Sequence, residues 1–221
     1  KLKRQYFELE KTNQELNQFV YRVSHDLSAP LKSVKGLVNL GKLSLSPTEH
    51  LELFDRIGAS VKRLEEFILE ILDYFNNKRH RISFTKINIK KLCEEIIDGM
   101  PHLFESKPVR IYYNMQADEI YQDRVRLKII LKNILYNAIK YQKNSPDHQP
   151  FIKIASVEKD EDVQIEISDN GIGFNEIYLD RIFSIFQRLH SREEYEGTGI
   201  GLAIVKKIIE KHNGLVTAVS E

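Results

Sequence analysis

Four short runs of this chain carry residue types that do chemistry, and they come in one fixed order. Ser24-His25-Asp26-Leu27-Ser28-Ala29-Pro30-Leu31 sets an imidazole beside a carboxylate. Neutral imidazole is a competent nucleophile near pH 7, and a carboxylate that accepts from one ring nitrogen leaves the other electron-rich. Asn133-Ile134-Leu135-Tyr136-Asn137-Ala138-Ile139-Lys140-Tyr141 puts Asn133 and Asn137 on one helix face. Their amide oxygens are hard, neutral ligands suited to magnesium shared with phosphates. Lys140, one turn from Asn137, reaches phosphate oxygens, and Tyr141 offers a flat face to a purine. Asp169-Asn170-Gly171-Ile172-Gly173-Phe174 ends a strand on a carboxylate able to accept from an adenine amine. Gly171 and Gly173 let backbone come close to such a ligand. Gly197-Thr198-Gly199-Ile200-Gly201-Leu202 opens a helix, where free N–H groups and the helix dipole favour anions. One such run alone is a weak signal; all four in order make a strong one.

The four runs resemble the H, N, G1 and G2 boxes of the sensor histidine kinases, and Phe183-Ser184-Ile185-Phe186 resembles their F box. The likeness extends from about Gln18 to the end of the chain. It implies an ATP-dependent protein histidine kinase of a two-component system. Such an enzyme would phosphorylate His25 and pass the phosphoryl group to an Asp of a response-regulator receiver domain. The resemblance implies that Asp26 assists His25 and that Asn137 binds the metal. It gives the nucleotide site to Asn133, Lys140, Tyr141, Asp169, Gly171, Gly173, Gly197, Gly199 and Gly201, with ATP and Mg2+ as cofactors. Arg188 falls in the segment that resembles the family's ATP lid, placed to neutralise the γ-phosphate. The alternative is a non-catalytic, nucleotide-binding dimeric signalling scaffold.

Other nucleotide chemistries fit less well. No Lys-Ser or Lys-Thr follows the glycines, as a P-loop requires, and the glycines open the last helix rather than a first βα unit. Related ATPases of the gyrase and chaperone type need a catalytic carboxylate on the nucleotide-site helix, but no Asp or Glu stands between Leu127 and Tyr141. Two departures from the resembled family stand out. Ala29 takes the place where many relatives carry Thr or Asn to align a hydrolytic water, which predicts weak phosphatase activity. The chain also stops at Glu221, where relatives add a further strand, so the expectation is a sheet short of one edge.

These residues need elements to hold them. Leu2, Leu9, Leu16 and Val23 share one heptad position, and Tyr6, Asn13, Val20 and Leu27 another, which predicts a coiled-coil seam. Pro47 is placed to open a second helix, carrying Phe54, Ile57, Val61, Leu64, Ile68, Ile71 and Phe75 at three- and four-residue steps. A hairpin of two such helices cannot cover both stripes alone, so two copies should form a four-helix bundle. From about Ile82 the character changes. Helices are expected over 89–100, 124–142 and 200–212, and strands over 109–115, 151–158, 162–168 and 215–219. The predicted architecture has two domains. An all-α antiparallel helical hairpin forms a four-helix bundle as a dimer, and an α/β sandwich ATP-binding domain of the gyrase and histidine-kinase type follows. The boundaries read as 1–20 signalling coiled coil, 21–79 dimerisation and histidine-phosphotransfer hairpin, 80–86 linker, and 87–221 ATP-binding domain.

Composition narrows the rest. Lys and Arg number 33 against 32 Asp and Glu, so no global field draws nucleic acid, and no nucleic-acid partner is expected. The basic run from Lys78 to Arg81 reads as a solvated hinge. One cysteine, Cys93, excludes an internal disulfide and a cysteine-rich metal site. No apolar run reaches the roughly 18 residues of a membrane span, and no signal peptide opens the chain. The fragment reads as cytoplasmic. Its partners are expected to be a second copy, a receiver domain and an upstream sensor domain that this chain lacks.

Overall fold

The computed structural model describes residues 2–43, 46–76, 83–101, 108–143, 145, 147–160, 162–189, 195 and 197–220. The chain divides into two compact units, Lys1–Asp73 and Tyr74–Glu221. The turn residues Ser44 and Leu45, residues 77–82 of the basic segment, and the side chains of Leu2 and Phe75 lie outside the description.

The first unit is a pair of helices, α1 (Leu2–Leu40) and α2 (Pro47–Asn76). Pro47 is the first residue of α2, where a missing N–H costs nothing. Ser46 and Glu49 form a capping box: the Ser46 N–H donates to Glu49 Oε2 at 2.7 Å and the Glu49 N–H to Ser46 Oγ at 3.3 Å. The Ser46 hydroxyl and amide together hold the Glu49 carboxyl below its usual range. The apolar stripe of α2 splits into two rows. Ile57, Leu64, Phe67 and Ile71 turn inward, whereas Phe54, Val61 and Ile68 stay 65%, 44% and 40% exposed. On α1, Phe19 is buried, while Leu9, Leu16 and Val20 face solvent. Among the described residues no helix is long and apolar enough to cross a membrane.

The second unit is the α/β sandwich that the periodicity predicts. Strands β2 (Arg110–Met115), β4 (Phe151–Lys159) and β5 (Asp162–Asp169) form a mixed sheet. The β2–β4 ladder is parallel, with Arg110 opposite Phe151, and the β4–β5 ladder is antiparallel, with Ile152 opposite Asp169. Helices α3 (Ile89–Asp98) and α4 (Arg124–Lys140) bury Ile89, Leu92, Cys93, Ile96, Leu131 and Leu135 with Ile152 and Ile154 of the sheet. Asn88 caps α3 through the Lys91 N–H, and Asp123 caps α4 through the Arg126 N–H. A short α5 (Leu179–Ile182) precedes α6 (Gly201–Lys211), which packs on α4. Two residues beyond the helix, Asn213 has a φ of 58°, which lets the Gly214 N–H return to Ile209 O at 2.9 Å.

Three expectations need correction. A second, two-stranded sheet pairs β1 (Phe84–Asn88) with β3 (Glu119–Asp123), and neither strand was expected. Phe84, Thr85 and Lys86 therefore belong to a strand, inside the 80–86 segment read as linker. Residues 215–219, expected as a strand, form none. No ladder partner meets them among the described residues, and Leu215 is 91% exposed. β-propensity without a neighbouring strand makes no sheet.

Candidate phosphoacceptor and nucleotide site

His25 stands on the outer side of α1 with its side chain 69% exposed, while Asp26 beside it turns partly inward at 26%. Their side chains meet at 3.1 Å, His25 Nδ1 to Asp26 Oδ1. A proton on Nδ1 then donates to the carboxylate, which leaves the Nε2 lone pair facing solvent.

The second candidate site is built around the C-terminal half of α4. Asn133, Asn137 and Lys140 lie along one side of that helix, and Tyr141 caps it. Asn133 Nδ2 donates to Ile129 O at 2.8 Å, and its oxygen packs against Gly201. Asn137, one turn on, makes no side-chain hydrogen bond to any described residue. Lys140 Nζ donates to the Tyr141 hydroxyl at 3.2 Å and lies 4.6 Å from the centre of that ring. It also sits 2.6 Å from the point where a Cβ on Gly197 would be.

The loop after β5 closes on the same helix end. The Ile172 N–H donates to Tyr141 O at 2.9 Å, and a Cβ on Gly171 would collide with that oxygen. Asp169 Oδ1 accepts from the Gly171 N–H at 2.8 Å, so the turn itself holds the carboxylate. Burial pushes the Asp169 carboxyl up from its ordinary value, with the Gly171 N–H opposing. Its Oδ2 has no described hydrogen-bond partner. Asn170 stitches the two strand ends, accepting from the Phe151 N–H at 2.9 Å and donating to Gln149 O at 3.0 Å.

The glycine run forms the third wall. Gly173, Gly197 and Gly199 have φ of 65°, 146° and 71°, where a side chain is strained. The Phe186 N–H donates to Gly199 O at 2.8 Å, and a Cβ on Gly199 would lie 2.8 Å from Gln187 O. Helix α6 begins without any side-chain cap, so its first-turn amides remain available to an anion. Arg188 Nη2 donates to Tyr195 O at 2.5 Å. Burial raises the Tyr141 hydroxyl's pKa, while the Arg188 charge pulls the other way.

Every residue expected at the nucleotide site thus falls on α4, the β5 loop, the Gly197–Gly201 run or the adjoining Arg188 segment. His25 and Asp26 belong to the other unit. The donor set fits a magnesium nucleotide: a free amide oxygen, a lysine, an uncapped helix start and a carboxylate with one free oxygen. Among the described residues no group of three or more His, Cys, Asp or Glu could hold a metal ion. Sequence reasoning missed Asn170 and Tyr195, whose contacts reach 21 and 53 residues back along the chain.

An exposed His–Asp pair is followed along the chain by a unit whose donors suit a nucleotide, and comparison with known proteins bears on both units. A family model described as "His Kinase A (phospho-acceptor) domain" matches residues 15–78. Residues 122–221 match the model for "Histidine kinase-, DNA gyrase B-, and HSP90-like ATPase", which makes the second unit an ATP-binding domain. The chain is a sensor histidine kinase catalytic core and belongs to that family of protein kinases. It is 32% identical to the phytochrome-like protein Cph1 of Synechocystis sp. over 94% of this chain and 28% of the relative. It is 29% identical to the adaptive-response sensory kinase SasA of Synechococcus elongatus over 100% of this chain and 59% of the relative. The chain therefore spans only about a quarter of the length of its phytochrome relatives. The fold is shared with histidine kinase ThkA, solved in complex with response regulator protein TrrA. The TM-score is 0.71 at 21% identity, covering 93% of this chain and 57% of the other.

Proposed function

We propose that this chain phosphorylates its own His25 from ATP and passes the phosphoryl group to an aspartate of a response-regulator receiver domain, working as a homodimer. The observation that carries the reading is the His25–Asp26 contact of 3.1 Å on an exposed helix face. Asp26 holds Nδ1, so Nε2 attacks the γ-phosphorus. The N–P bond forms as the P–O bond to the β-phosphate breaks, and that electron pair leaves with ADP. The Asp26 carboxylate stabilises the positive charge that grows on the ring.

Around the nucleotide, Lys140 and the α6 amides hold the phosphates, where positioning and electrostatics dominate the chemistry. The free oxygen of Asp169 accepts from the adenine amine, and Tyr141 walls the base. Asn137 would hold Mg2+, which when bound neutralises phosphate charge. Arg188 is the remaining cation of this group. In the second transfer a receiver carboxylate takes the phosphoryl group and neutral His25 is restored. The complex of the fold neighbour ThkA with a response regulator supports a partner of this type. Homodimerisation is supported by the uncovered Phe54–Val61–Ile68 row. The greater length of the relatives supports an upstream sensor domain, and we place the ATP-consuming core in the cytoplasm.

Incubation with γ-phosphate-labelled ATP and magnesium tests the reading. The expected label is acid-labile and base-stable, and is missing from a His25→Gln variant that still binds nucleotide. Label persisting in that variant removes His25 as acceptor. A wild type that binds nucleotide but takes no label is a scaffold.

A further inference from the structure

We propose that Tyr195 is a positioning residue of the nucleotide site, bracing the Tyr141 ring with its own ring and holding Arg188 with its backbone carbonyl, so that one residue sets both the aromatic wall and the nearby cation. The inference rests on the reading of this site as the ATP site. Tyr195 lies two residues before Gly197, in a stretch that the motifs leave without a role. Its ring centre is 5.1 Å from that of Tyr141, with the planes at 49°, inside the range of an attractive aromatic pair. Its hydroxyl donates to Gln142 O at 3.4 Å, one residue beyond Tyr141. Its own carbonyl accepts from Arg188 Nη2 at 2.5 Å.

These contacts form a chain. Arg188 is held by the Tyr195 backbone, the Tyr195 ring meets the Tyr141 ring, and Tyr141 carries Lys140 on its hydroxyl and its face. Lys140 in turn touches the Gly197 position. Tyr141 is thus flanked by an aromatic ring and by an ammonium. Removing the Tyr195 ring takes one of its braces from the Tyr141 ring, and a base-stacking wall held less firmly binds less tightly. The hydrogen bond from the Tyr195 hydroxyl to Gln142 O is long at 3.4 Å, so we assign the bracing to the ring.

The measurement is Mg·ADP affinity, with KM and kcat for autophosphorylation, on the full chain and on Tyr195→Phe, Tyr195→Leu and Tyr195→Trp. Tyr195→Phe is expected to stay within about twofold of wild type, and Tyr195→Leu to bind about 2- to 12-fold more weakly, the worth of an aromatic pair. KM for ATP should rise by the same factor while kcat holds. A merely structural role would lower melting temperature and kcat without separating Phe from Leu in KM. Tyr195→Leu binding like wild type overturns the proposal, as does a Phe variant as weak as Leu. If Tyr195→Leu does not fold, the Trp variant decides. The chain has no tryptophan, so Tyr195→Trp is the sole indole, and its emission must change when Mg·ADP is added. Unchanged emission overturns the inference. A wild type that binds no Mg·ADP fails the site reading itself, and the proposal falls with it.

Discussion

The side-chain oxygen of Asn133 occupies the place that a Cβ on Gly201 would need. The Asn133 amide nitrogen is tied to its own helix at Ile129 O, so the side chain cannot simply swing away. Asn133 therefore spaces α4 from the start of α6, which is a different job from that of Asn137. Gly201→Ala should cost about 1–3 kcal/mol, the usual penalty of overpacking, and should weaken nucleotide binding by displacing the α6 amides. Asn133→Ala removes the obstacle. In a double-mutant cycle by urea unfolding, the pair should recover part of the loss, and strictly additive costs would refute the spacer role.

Asn137→Ala should behave in the opposite way. Its side chain makes no hydrogen bond to a described residue, and alanine is a better helix former by about 0.7 kcal/mol. Stability is expected to hold or rise slightly while magnesium-dependent nucleotide affinity falls. Calorimetry with and without magnesium checks this, and unaltered Mg·ATP binding in a folded variant removes the metal role.

Asp123 links the β1–β3 ribbon to α4 and should shape the acid limit of the second unit. Burial pushes its carboxyl up, but the Arg126 and Ser83 amides and the Arg126 guanidinium outweigh that and hold it below its ordinary value. A depressed carboxyl contributes stability above its unfolded pKa of about 3.9, and that contribution disappears as pH falls through the folded value. Asp123→Asn removes the negative charge beside the buried Arg126 guanidinium and should destabilise the second unit near neutral pH. The deficit should begin to shrink below about pH 4, as the unfolded carboxyl takes up a proton, and close as pH falls through the folded value. Denaturation midpoints against pH give the comparison, and a deficit that stays constant contradicts it.

Two copies of the first unit should hide the row that one copy leaves open. Replacing Val61 and Ile68 with Lys is expected to give monomers by sedimentation, because both residues are exposed within the single chain. A wild type that sediments as a monomer at micromolar concentration would exclude the homodimer.

What the sequence made legible follows its local signals. Three of the motifs pointed to the candidate nucleotide-site residues because each reaches an element end, where composition and turn chemistry speak directly. Helices α3 and α4 were readable from their apolar period. The β1–β3 ribbon was not, because Phe84–Asn88 and Glu119–Asp123 are short, half polar, and defined only by pairing with each other across the chain. Residues 215–219 show the reverse: a strand-like pattern that meets no partner. The split of the α2 stripe into inner and outer rows was also hidden, since both rows are apolar and only packing separates them. Tyr195 escaped because its partners, Tyr141 and Gln142, are distant in sequence.

Cys93 is fully buried in the core of the second unit, and burial lifts its thiol to about 12. At neutral pH a thiol reagent can reach that sulfur only when α3 parts from the sheet, so the rate of labelling counts those openings. The first unit contains no cysteine and is silent in such a measurement. Slower labelling with Mg·ADP present would convert nucleotide occupancy into protection of a single sulfur atom, a readout independent of any phosphoryl transfer.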